Sequence, residues 1–370
     1  MIDTSSLVDQ YCHGVLRTEL GLGTFEAQLA RTEGPPAPGT TLFDTQTGFA
    51  VRRWCPPLLG LEAHCRPACY LARRRELGVV EASRRLLRGS GITTYLVDTG
   101  LVGDLTGPDE MARAGAAEAR EIVRLELLAE QVADTSGTVE SFLANLAESV
   151  HAAAANAVAF TSVAGVRHGL ALAPEPPGPG EVRGAAGRWL AGRRVGGELN
   201  DPVLLRHVLW IAVASGLPLQ LHAGLAEPRS CIDRTDPVLL TDFVRATAGL
   251  GTDLVLLHGY PYHRHAAHLA GVFPHVYADS GAALVRTGAR AATVLAEILE
   301  LAPFGKVLFS SGAHGLPELH VVGARLFAEA LRRVLGTWVG EGAWSLEDAQ
   351  RVARLISADN ARRIYGLGED

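Results

Sequence analysis

Three histidines close short apolar runs. His13 follows Ser6–Tyr11, His222 ends Leu217–His222 and His258 ends Asp253–His258. Neutral imidazole is a common ligand for divalent transition metals, and three of them with a water form a legitimate catalytic zinc set. The same side chain can also serve as an acid or base near neutral pH without any metal. A lone histidine is more often a hydrogen-bonded core residue, but three at equivalent places argue for a shared site. Other run ends are polar too. Asp98-Thr99-Gly100 closes the second run, Arg167 and His168 follow the fourth, Asp279-Ser280 closes the seventh, and His314 and Glu318 follow the eighth. Tyr11, Asp98, His258 and His314 are the candidates for proton transfer and hydrogen bonding, with His13, His222 and His258 for metal ligation. Arg167 suits a substrate carboxylate, because its planar fork pairs bidentately, although a structural salt bridge is the competing role. Glu318 is a second candidate substrate contact. His263, His265 and His268 look like ligands, yet their Ala and Arg neighbours predict a solvated helix face.

The elements that must carry these residues follow from hydrophobic periodicity. Eight Val-, Ile- and Leu-rich runs read as strands: Ser6–Tyr11, Thr93–Asp98, Glu121–Leu125, Val158–Val163, Leu217–His222, Asp253–His258, Val276–Asp279 and Val307–Ser311. Helical spacing follows several of them, over Met111–Arg120, Val203–Ala214, Leu239–Ala248, Ala291–Leu301 and Val321–Leu335. Alternating strands and helices predict an α/β fold with a parallel sheet. Eight strands, and no Gly-x-Gly-x-x-Gly after Tyr11-Cys12-His13-Gly14, favour a (β/α)8 TIM barrel over an open doubly wound sheet. In such a barrel the reactive groups sit at the C-terminal strand ends, where the polar residues above fall.

Residues 14–90 interrupt the alternation between strands 1 and 2, as an insertion that could cap the barrel mouth or make a contact between copies. Within it, Pro67–Leu87 reads as a helix. Pro174–Gly197, rich in Pro, Gly and Arg, reads as an ordered loop. All 370 residues are expected to form one domain, a length that suits a barrel with insertions. With 48% hydrophobic and 20% charged residues the chain can fill a large core, which argues against disorder. A net charge of −6 with both signs interspersed excludes a basic nucleic-acid footprint. The N-terminus lacks a signal-peptide pattern and no apolar run is long enough to span a membrane, so a cytoplasmic location is expected. Five cysteines match no paired zinc-ribbon spacing and read as buried thiols. The expected partner is a small-molecule substrate, with a homo-oligomer open.

Several of these segments together resemble a known family. Asp9-Gln10-Tyr11-Cys12-His13, Leu219-Gln220-Leu221-His222, Leu256-Leu257-His258-Gly259, Ser310 through Glu318, and Asn360-Ala361-Arg362-Arg363-Ile364-Tyr365 are similar in kind, order and spacing to the motifs of metal-dependent amidohydrolases. The resemblance covers nearly the whole chain. It points to the amidohydrolase-2 branch, which includes the amidohydrolase-like domain of nodulin/FluG-type glutamine synthetases. It implies one or two divalent ions at a barrel mouth, where they acidify a bound water and polarise a carbonyl. Its usual ligands are two His after strand 1, a carboxylated Lys or Glu on strand 4, one His each on strands 5 and 6, and an Asp after strand 8.

Against that pattern Tyr11 stands for the first His, Thr161 for the strand-4 ligand and Gly312 for the strand-8 Asp. The segment from Ala223 to Arg229 also differs from the usual acidic, Gly-rich loop. Thr161 cannot bridge two ions, and Gly312 offers neither a ligand nor a base. Three readings follow. One is a mononuclear enzyme, zinc being the first choice, acting on a C–N or related bond of a small carboxylate or amide. Another is a metal-free cyclase, dehydratase or lyase. The last is a non-catalytic barrel that binds a small molecule or partner.

Overall fold

The computed structural model describes the chain except at residues 1, 3, 5, 31, 33, 35, 226–230 and 369–370. Eight strands form one sheet in the sequential order β1 to β8, the topology of a (β/α)8 barrel. They are β1 (Leu7–Cys12), β2 (Ile92–Asp98), β3 (Glu118–Arg124), β4 (Ala159–Ser162), β5 (Leu219–His222), β6 (Leu254–Leu257), β7 (Val276–Asp279) and β8 (Val307–Leu308). Every residue of β1, β4, β5, β6 and β7 is buried. Burial on both faces explains why β6 is a continuous apolar run, and why the polar residues of the others, such as Asp9, Gln10, Thr161 and Gln220, are themselves buried.

The chain groups into two compact units. The first comprises Met1–Arg120, Asp279–Arg363 and Leu367–Asp370; the second comprises Glu121–Ala278 and Ile364–Gly366. In the first unit β1 and β2 run parallel, with Leu7 opposite Ile92 and Cys12 opposite Val97. The register slips between Asp9 and Cys12, so side-chain alternation is reset partway along β1. In the second unit β3 through β7 pair in parallel, with Thr161 opposite Gln220 and His222 opposite Leu257.

The 14–90 insertion contains four helices, Leu22–Ala30, Gln46–Leu58, Pro67–Leu77 and Val79–Ser90. The single helix expected over Pro67–Leu87 is broken at Gly78, whose φ of +76° suits glycine and stops the helical backbone. The loop expected over Pro174–Gly197 contains a helix, Pro179–Gly192. Pro179 fits the first helical position, the Glu181 side chain accepts from the Gly178 amide, and Val182, Ala185, Ala186 and Trp189 bury one face. The helix expected over Met111–Arg120 ends at Gly115, because Ala116 turns left-handed and β3 begins at Glu118. Strand 8 is shorter than expected: the Ser311 amide donates to Asp9 Oδ1 at 2.7 Å instead of extending the ladder. Among the described residues no helix is long and apolar enough to cross a membrane.

Candidate functional site

The end of β1 brings together Tyr11, His13 and, from β2, Asp98, all buried. The Tyr11 hydroxyl donates to Asp98 Oδ2 at 2.8 Å and lies 3.1 Å from His13 Nε2. His13 Nδ1 is 2.8 Å from the Asp98 carbonyl oxygen. A carbonyl only accepts, so Nδ1 carries a proton. That bond fixes the ring and turns Nε2 toward the phenol, as a backbone carbonyl commonly fixes a ligating imidazole. With the phenolic O–H donated to Asp98, the phenol oxygen can bond His13 Nε2 only as an acceptor, and an Nε2–H beside the Nδ1–H would make the ring cationic. If the phenol turns its proton to Nε2, the ring is neutral. Asp98 Oδ1 is held by the Gly100 amide at 2.8 Å, which anchors the carboxylate for either arrangement.

In the second unit, His222 ends β5 and His258 immediately follows β6, both buried. Their ring centroids are 4.9 Å apart and nearly perpendicular, at 77°. His258 adopts φ +67°, a left-handed backbone that a residue with a Cβ rarely takes. Such strain costs about 1–3 kcal/mol and concentrates at functional sites. The turn after β5 is equally constrained. Gly224 has φ +61°, and a Cβ there would come within 2.8 Å of the Gly259 carbonyl carbon, so only glycine fits. On β4, Thr161 is buried and its Oγ1 has no hydrogen-bond partner. A bound water would satisfy it. Of the segment from Ala223 to Arg229, residues 226–229 lie outside the described residues.

The remaining candidates are placed elsewhere or occupied. His314 in the first unit has Nε2 3.2 Å from the Gln28 carbonyl and Nδ1 3.4 Å from that of Gly312. Arg167 forms ion pairs with Glu198 and, at 3.8 Å, with Glu130. Its guanidinium is thus committed to protein carboxylates, the structural alternative to binding substrate. Glu318 is fully buried and accepts from Tyr70 and from Arg74 Nε, each at 2.8 Å. It is a core ion pair linking the insertion to helix Pro317–Gly340. Of the histidines expected on a solvated face, His265 and His268 are exposed, and His265 pairs with Asp236 at 2.9 Å. His263 departs from that expectation, being buried and stacked on Tyr260 at 5.6 Å. Gly312 has φ +60°, with the Ala282 Cβ only 3.1 Å from where its own Cβ would lie.

One polar group at a strand end escaped the sequence reading. Glu126, two residues past β3, is fully buried. Its Oε1 accepts from Ser162 Oγ at 2.6 Å and the Val163 amide at 3.0 Å, at the end of β4, while Oε2 has no hydrogen-bond partner. Burial pushes its carboxyl above the usual carboxylate range, against those two hydrogen bonds. In the sequence it lies within Leu125-Glu126-Leu127-Leu128, where a helical surface position is the natural assumption. The only available signal was its place just after a strand.

Comparison with known proteins follows the same lines. A family model described as Amidohydrolase matches residues 86–367. Protein fluG of Emericella nidulans is 35% identical over 154 residues, which are 41% of this chain and 18% of that protein. The chain therefore spans less than a fifth of that relative's length. A crystal structure from Lactobacillus casei ATCC 334, provisionally described as a metal-dependent hydrolase, is 26% identical with a TM-score of 0.86, covering 99% of this chain and 96% of that one. The uronate isomerase of Thermotoga maritima shares the fold at 13% identity and a TM-score of 0.64, over 97% and 94% of the two chains. Because the family model spans well over half of its 370 residues, this protein belongs to the amidohydrolase family, in the amidohydrolase-2 branch.

Proposed function

We propose that the protein is a hydrolase that uses one divalent ion, zinc being the first choice, on a C–N or related bond of a small carboxylate or amide. The observation that carries this reading is the pair His222 and His258, perpendicular imidazoles 4.9 Å apart, with His258 held at φ +67°. Two imidazoles so disposed fit one ion, and the unpartnered Thr161 hydroxyl suits a water beside it. Thr161 cannot bridge a second ion, so the site is mononuclear. His13, directly after β1, keeps the position that the family resemblance gives to a metal ligand. When bound, the ion would supply Lewis acidity and an acidified water.

The chain's own groups would do the rest. Tyr11 and Asp98 hold the His13 ring and set where its proton lies. His258 is confined by its strained turn. Relatedness to the Lactobacillus casei protein supports hydrolysis as the reaction class. Arg167 and Glu318 are not assigned to the substrate, since Glu198 and Arg74 already occupy them.

A second reading is favoured by the hydrogen-bonded chain His13–Tyr11–Asp98, which could move a proton unaided in a cyclase, dehydratase or lyase. Metal analysis of protein purified without chelators or a metal-binding tag separates the two. About one ion per chain, with occupancy lost in His222→Ala, supports the mononuclear hydrolase. Absence of metal at those imidazoles after incubation with excess ion overturns it and leaves the metal-free reading.

A further inference from the structure

β1 also carries a second cluster. Asp9 and Cys12 on β1 and His320 on helix Pro317–Gly340 are all fully buried. One ligand atom from each lies within 4.8 Å of the others. His320 Nδ1 is 3.6 Å from Asp9 Oδ2, an ion-pair distance beyond a good hydrogen bond. Neither ring nitrogen of His320 has a hydrogen-bond partner. Such an orphan costs about 1–3 kcal/mol. The Tyr95 ring meets His320 edge-on at 5.5 Å and so confines it without satisfying either nitrogen.

We propose that Asp9, Cys12 and His320 form a buried structural site for one zinc-like cation, separate from the His222–His258 pair. Three observations support it together. First, the donor set of one nitrogen, one sulfur and one oxygen suits zinc, whereas an all-oxygen set would suit calcium or magnesium. Second, the distances fit. Zinc–ligand bonds of about 2.0–2.3 Å put neighbouring donors in a tetrahedron roughly 3.3–3.8 Å apart. The His320–Asp9 edge already meets that at 3.6 Å, and the remaining edges need a modest inward movement of Cys12. Third, the charges balance: one dication with one carboxylate, one thiolate and a neutral imidazole is neutral overall, which is what a dry core tolerates. Binding transfers the thiol proton to solvent and forms the metal–sulfur bond, with no oxidation or reduction.

The rest of the cluster is already preorganised. Ser311 donates to Asp9 through its amide at 2.7 Å and its hydroxyl at 2.5 Å, holding the carboxylate in place. The Cys12 thiol donates to the Leu96 carbonyl oxygen at 3.5 Å, a bond that ion binding would exchange for the metal–sulfur bond. An ion here would tie β1 to helix Pro317–Gly340.

The site can be read separately from any metal at His222 and His258, because none of the proposed ligands there carries sulfur. Protein loaded with cobalt(II) should show a thiolate-to-cobalt charge-transfer band in the near ultraviolet. The band should persist in His222→Ala and vanish in Cys12→Ser together with one metal equivalent. A band that survives Cys12→Ser, or loaded cobalt with no such band, overturns the proposal. Should Cys12→Ser fail to fold, X-ray absorption of the wild-type zinc protein decides. A sulfur in the zinc shell that persists when Cys55, Cys65, Cys69 and Cys231 are changed to Ser supports the site, and a purely nitrogen and oxygen shell overturns it.

Discussion

The Tyr11 hydroxyl joins Asp98 to His13, donating to the carboxylate at 2.8 Å and lying 3.1 Å from Nε2 of the imidazole. The phenol is thus the middle member of a buried hydrogen-bonded chain. Tyr11→Phe keeps the ring and removes only the bridge. It should destabilise the fold by about 1–3 kcal/mol, because two buried groups lose a partner. Urea unfolding measures this, and a change below a few tenths of a kcal/mol would show that the bridge carries no weight.

Arg167 should not govern substrate affinity. Its guanidinium is taken by Glu198 and Glu130. Once a substrate is in hand, Arg167→Ala is expected to change KM by less than about threefold. A loss of the bidentate recognition of a substrate carboxylate would instead raise KM well over tenfold.

The Arg74–Glu318 pair is the opposite case, a charge pair with both partners buried. Removing Arg74 should cost about 3–5 kcal/mol, since the buried Glu318 charge is left without its cation, and removing Glu318 less, since Arg74 keeps Glu19 at 3.4 Å. Arg74→Met and Glu318→Gln together should cost clearly less than the sum of the two singles. A double-mutant cycle by chemical denaturation checks the coupling.

Glu126 should make stability fall as pH rises. Its carboxyl is raised in the fold by burial, so folding favours the protonated form. That contribution is fully present below the ordinary glutamate value of about 4.3 and is lost as pH climbs through the raised value. The stability of wild type relative to Glu126→Gln should therefore decrease steadily from acid toward neutral pH in urea titrations. The reverse slope would mean that the carboxyl is ionised in the folded protein.

A carboxylate introduced at position 312 should be resisted. Gly312 has φ +60° and faces the Ala282 Cβ at 3.1 Å. Gly312→Asp is expected to lower stability by about 1–2 kcal/mol, the penalty of a left-handed backbone for a residue with a Cβ. An unchanged unfolding midpoint would show that the loop relaxes freely.

Much of this protein was legible in its residue order. Buried parallel strands are rich in apolar residues, so β2, β5 and β7 stood out, and so did the polar residues that end them. Their number and alternation with helices determined the barrel class, and the strand-end motifs determined the family. Three things needed the tertiary structure. Whether Arg167 and Glu318 reach for a substrate depends on which charges stand opposite, and Glu198 and Arg74 are distant in sequence from them. Glu126 is an ordinary helix-start glutamate until packing against Ser162 and Val163 takes it out of water. The two faces of β1 could not be read from alternation at all. Period-two spacing puts Asp9 with Tyr11 and His13, but the register slip before Cys12 puts Asp9 with Cys12 beside His320, and leaves Tyr11 and His13 on Asp98. A strand's sequence specifies its side chains, while the partner strand's hydrogen-bond register decides which way each one faces.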